Sequence, residues 1–136
     1  MLNLYSQLPQ NINIMKIIYA ILAFILLSFV IVQYNDPDPL LWMPIYGYGA
    51  VLLAMAAGGK YHKIATIIGI AGYSLGAMYL FPSVLEWIEK EHGQNLMQRM
   101  ANSKMYIEET RECGGLIIAA VFLVFSFLQH KGNAKN

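Results

Sequence analysis

Charge is scarce in this chain. Asp, Glu, Lys and Arg make up 12% of its 136 residues, and the net charge is +1. Nine basic against eight acidic residues leave no basic footprint for nucleic acid or for anionic surfaces. Cysteine is rarer still. The single Cys113 excludes an internal disulfide and any CxxC pair, so redox chemistry would need a cofactor from elsewhere. No glycine-rich phosphate loop is present, because Gly47 and Gly49 sit inside an apolar block where small size suits packing. The first apolar block also lacks, between Val30 and Tyr34, the small-residue cleavage pattern of a secretory signal, and reads as a retained anchor.

What the chain has instead is apolar length. Hydrophobic residues make up 57% of it, in blocks too continuous to be one face of a soluble helix. A hydrocarbon core of about 30 Å takes roughly 20 helical residues. Blocks of that size predict helices over residues 16–34, 39–59, 64–82 and 108–129. The fold class is therefore an all-α membrane protein, a four-transmembrane-helix bundle forming a single domain. Residues 83–105 differ. There Val84, Leu85 and Ile88, then Leu96, Met97 and Met100, recur at helical spacing among charges, which predicts an amphipathic surface helix broken near Gly93. Met15 and Lys16 look like a natural start, leaving residues 1–14 as an extension with little role in the fold.

The acids are segregated. All eight fall either at Asp36 and Asp38, between helices one and two, or from Glu86 to Glu112, between helices three and four. Four crossings put these two regions on one side of the membrane. The other side carries Lys16, Lys60, Lys63, Lys131 and Lys135 with no acid, so the positive-inside rule makes it cytoplasmic, with both termini.

One motif combines turn chemistry with charge. In QYNDPDP, residues 33–39, Asn35 and Asp36 favour a turn, and the residue before a proline is pushed out of the α region, which ends helix one. Asp38 and Pro39 then make an N-cap and first-turn pair for helix two, with Trp42 and nearby tyrosines in the interfacial aromatic belt. Turn chemistry does not account for Gln33 or for both acids. In the fourth helix the uninterrupted apolar part, Gly115 to Leu128, spans only about 21 Å. A full crossing therefore draws Arg111 and Glu112 to the edge of the hydrocarbon, where ionisable groups need partners. Glu108, Arg111, Glu112 and Gly115 fall on one helical face, and Asp36 and Asp38 are the partners on offer.

These two blocks carry a resemblance. Gln33, Asn35, Asp36, Pro37, Asp38 and Trp42, with Glu108, Glu109, Arg111, Glu112, Gly115 and Leu116, resemble the transmembrane protein 220 family of animals and bacteria over about Lys16 to Gln129. The resemblance implies four membrane helices and, for a bacterial member, the inner membrane; it names no reaction. Cys113 and Gly114 sit where a relative carries other residues, which argues against a catalytic thiol.

Several chemistries can be weighed for the cluster of Gln33, Asn35, Asp36, Asp38, Trp42, Glu108, Glu109, Arg111 and Glu112. Its carboxylates could hold a hard divalent cation such as Ca²⁺ or Mg²⁺, but prolines stiffen the loop and Arg111 competes, so no cofactor is predicted. Zinc is a poorer fit, since His62 and His130 lie on the opposite side from His92. Paired carboxylates could serve a membrane-embedded hydrolase or transferase, but nothing supplies a clear nucleophile. Transport would want ionisable groups near the bilayer middle, where helices one to three offer only Ser28, Thr66, Ser74 and tyrosines.

Two readings follow. In the favoured one the chain is a structural or accessory membrane component in which Arg111 pairs with Asp36 or Asp38 to clamp helix four to the first hairpin. In the other, the cluster binds a cation, a lipid headgroup or a small polar molecule under the ring of Trp42. Small residues at Ala50, Ala54, Ala57 and Gly58 in helix two, and at Ala65, Gly69, Gly72 and Gly76 in helix three, predict close helix packing within the bundle or against a second copy. The bilayer itself is the partner the composition requires, with a membrane-protein partner or a homo-oligomer as further candidates.

Overall fold

In hydrocarbon every backbone N–H and C=O must be satisfied within the chain, and an apolar segment of this length meets that demand by becoming helical. The computed structural model of the protein, which describes residues 10–35, 39–92, 94 and 105–134, contains four long helices. They are α1 (Gln10–Val32), α2 (Pro39–Ala57), α3 (Lys63–Glu91) and α4 (Met105–Ala134), with a 3-10 turn at Gln33–Asn35. All four are long and apolar enough to cross a membrane. The chain is an integral membrane protein built as a helical bundle.

Several boundaries differ from those expected; α4 runs on to Ala134, past 129, and four other differences have a local cause. No glycine or proline interrupts residues 10–32, so α1 takes up part of the expected N-terminal extension. At the far end of α2 the helix stops at Ala57, two residues short of 59. Gly59, at φ +83°, closes the C-terminus there: its N–H donates to Ala56 O (3.1 Å) and that of Lys60 to Met55 O (2.7 Å). This paired closure needs a left-handed residue after the helix, which glycine adopts without strain. Third, α3 does not end at residue 82 as expected but passes through Pro82 and continues to Glu91. The first part of the expected surface helix is thus the end of α3. A proline in a membrane helix removes one backbone hydrogen bond, and neighbouring helices restore the loss. Fourth, α4 begins at Met105 rather than 108, because the wholly buried Ile107 and nearly buried Tyr106 extend the packed core one turn further. The C-terminus of α3 is capped by His92, which is left-handed and donates its N–H to Ile88 O at 3.1 Å, while the rest of the expected surface helix, with Leu96, Met97 and Met100, lies outside the described residues.

At the start of α3, His62 acts as the N-cap, its Nδ1 accepting the Ala65 N–H at 3.0 Å. At 29 and 30 residues, α3 and α4 are each about 45 Å long, well beyond the hydrocarbon core. They overhang together at the acidic end. Packing is closest within the α1–α2 hairpin and within the α3–α4 hairpin, while α2 and α3 meet more sparingly.

The expected packing face of α2 is met only in part, for Ala50 is buried and Ala57 packs against the core. Tyr46, Gly49, Ala50, Leu53 and Ala56 are buried, whereas Ala54 and Gly58 are exposed. The small-residue stripe of α3 is likewise divided. A Cβ on Gly69 would press on Leu123 and Tyr48, and one on Gly76 on Leu116, but one on Gly72 would meet nothing.

Candidate functional site

Polar side chains collect at the acidic end, and α4 supplies most of them. Gln33, Glu108 and Glu112 keep only 8%, 5% and 4% of their surface exposed, and Arg111 is half-buried. Carboxyl groups at such depth must be hydrogen-bonded, since an unmet one loses its water with no return. For Glu112 the donor is Tyr46 of α2, whose hydroxyl lies 3.0 Å from Oε2 and 3.3 Å from the Glu112 carbonyl oxygen.

Tyr46 joins three helices. Its ring takes the edge of Phe29 from α1 at 5.6 Å and stacks on Trp42 one turn away at 6.1 Å. It also covers Gly115 of α4, where any Cβ would collide with the ring and hydroxyl. The glycine on the expected α4 face therefore makes room for the tyrosine that serves the neighbouring glutamate.

Glu109 of the motif turns towards α3, and Glu91 of α3 in turn bonds α4. Ser83 Oγ donates to Glu109 Oε2 at 2.6 Å, and the Tyr106 hydroxyl donates to Glu91 Oε1 at 2.9 Å. Thr110 Oγ1 donates to Tyr106 O at 2.6 Å and lies 3.0 Å from Ser83 O. Further in, Cys113 is fully buried and its Sγ lies 3.3 Å from Ala77 O, so the thiol is a packing group. These contacts form a polar seam along the α3–α4 overhang.

Gln33, Trp42, Glu108, Glu109, Arg111 and Glu112 thus share one end of the bundle. Asp36 and Asp38, the expected partners of Arg111, lie outside the described residues, as does the side chain of Asn35. Among the described residues no group of three or more His, Cys, Asp or Glu side chains is gathered for a metal ion. Sequence reasoning passed over Tyr46 because a tyrosine near a helix end reads as an interfacial anchor. Its position one turn inward from Trp42 was the available signal.

A second cluster closes the basic end. His130 of α4 lies face to face with Tyr61 of the α2–α3 loop, rings 3.8 Å apart and 5° from parallel, and stacks on Tyr19 of α1 at 5.3 Å. Its Nδ1 lies 2.8 Å from Ser126 O, one turn back along α4. The Tyr61 hydroxyl is buried near Thr66, whose own proton goes to His62 O at 2.7 Å. Burial raises the Tyr61 pKa above its ordinary 10.0.

Four apolar helices of membrane-spanning length, with polar side chains gathered at one end, define a small polytopic membrane protein. The model of transmembrane family 220 matches residues 23–128, most of the chain, and the chain belongs to that family. No curated protein and no solved structure matches it.

Proposed function

We propose that the chain is a structural or accessory membrane component whose acidic end is a clamp holding the two hairpins together. The observation that carries this reading is the Tyr46 to Glu112 hydrogen bond, which ties α2 to α4 while Ser83 and Glu109 tie α3 to α4. Each of these acids has a protein donor of its own, which favours a clamp over a ligand site. The basic residues Lys16, Lys60, Lys63 and Lys131 at the opposite end support a topology with that end and both termini in the cytoplasm. In a bacterial cell this corresponds to the inner membrane. The overhang of α3, with Leu85 and Ile88 exposed beside Glu86 and Lys90, suits the lipid–water interface.

The experiment is a melting curve of the purified protein in detergent, followed by circular dichroism, with chelator or with millimolar calcium or magnesium. The clamp predicts no response to either treatment and a lower melting temperature for Glu112→Leu. A cation-dependent rise in melting temperature that disappears in Glu112→Leu would instead establish a metal site.

A further inference from the structure

The sparing contact between α2 and α3 leaves a groove of about 600 Å³ that the clamp does not use. Leu116 of α4 lines it, Gly72 forms part of its floor, and a Cβ there would still meet nothing within 4 Å. Three tyrosines also line the groove, and the hydroxyls of Tyr48 and Tyr73 are engaged by backbone. Tyr48 donates to Ala65 O at 2.6 Å, and Tyr73 donates to Ile45 O at 2.6 Å while accepting the Gly49 N–H at 2.8 Å. The walls therefore present carbon almost throughout, and a polar ligand would gain little there.

Position selects the occupant. Along α3 the lining runs from Ile68 to Leu80, about 18 Å at helical rise, or somewhat more than one leaflet of a core about 30 Å thick. The groove is continuous with the lipid-facing surface, for its lining residues Leu41, Ile68 and Tyr79 are 56%, 59% and 83% exposed within membrane-spanning helices. Trp42 lies towards its acidic end, at the depth where interfacial aromatics meet the glycerol region.

We propose that this groove seats one acyl chain of a resident phospholipid from the leaflet on the acidic side. The inference is independent of the clamp, since Tyr46, Glu112, Ser83 and Glu109, whose hydrogen bonds form it, do not line the groove. Native mass spectrometry of the full chain, released from micelles of mild detergent, tests it. Wild type is expected to carry a single phospholipid adduct. Gly72→Leu, which fills the floor, and Ile68→Trp, which obstructs the mouth, are each expected to lose the adduct while keeping the wild-type circular dichroism. Gly47→Leu is the control, because a Cβ at Gly47 also meets nothing and Gly47 does not line the groove. Absence of the adduct from wild type, or its equal retention in all three variants, overturns the proposal. So does a wild-type dimer that Gly72→Leu converts to monomer with no change in bound lipid, for a second copy would then fill the groove.

Discussion

At the scale of single residues, the glycine pair at the head of α4 shows how closely the acidic end is packed. Gly115 lies under Tyr46, while a Cβ on its neighbour Gly114 would meet nothing within 4 Å. Overpacking costs about 1 to 3 kcal/mol, whereas alanine in place of an unencumbered helical glycine gains up to about 1 kcal/mol. Gly115→Ala is expected to lower resistance to unfolding in mixed SDS micelles by that first amount, and Gly114→Ala to leave it unchanged or raise it. The face formed by Glu108, Arg111, Glu112 and Gly115 was legible from helical spacing; Glu108 and Glu112 are buried, and Arg111 and Gly115 are half-buried. Tyr46 was not legible, because its role depends on which helix lies opposite, and spacing within one helix carries no such information.

At the scale of elements, α2 and α3 are joined through backbone groups. The Tyr73 hydroxyl occupies both members of a pair, Ile45 C=O and Gly49 N–H, that would otherwise close one helical turn. In Tyr73→Phe these two groups can bond each other, so α2 stays helical while its tie to α3 is lost. The expected result is unchanged far-ultraviolet circular dichroism with unfolding resistance lower by about 0.5 to 1.5 kcal/mol. Helix existence was readable from apolar block length alone, because lipid enforces helicity on any such block. Helix ends were less so. Pro82 resembles a stop, yet Ser83 and Thr110 bridge α3 to α4 just beyond it, and those contacts join residues 26 and 27 positions apart.

For the whole molecule, the four-helix class follows from composition, and the chain's membership in transmembrane family 220 agrees with it. The division into two hairpins does not follow from composition, because it depends on the angles at which helices meet. Each end of the bundle has its own closure, and the basic end depends on pH. The folded chain holds the Tyr61 proton more tightly than the unfolded chain does, because burial raises its pKa above 10.0. This contribution to stability is full below pH 10 and is lost as the pH climbs through the raised folded value. Melting temperatures measured across that range should fall for wild type and fall less for Tyr61→Phe. At the acidic end the central claim is that α4 is bound to α2 through Tyr46 and Glu112. A double-mutant cycle of Tyr46→Phe and Glu112→Leu, read as unfolding free energy in micelles, tests it most directly. The clamp predicts a coupling of about 0.6 to 1.7 kcal/mol between the two sites, the range found for hydrogen bonds between membrane helices. Strictly additive losses would contradict it.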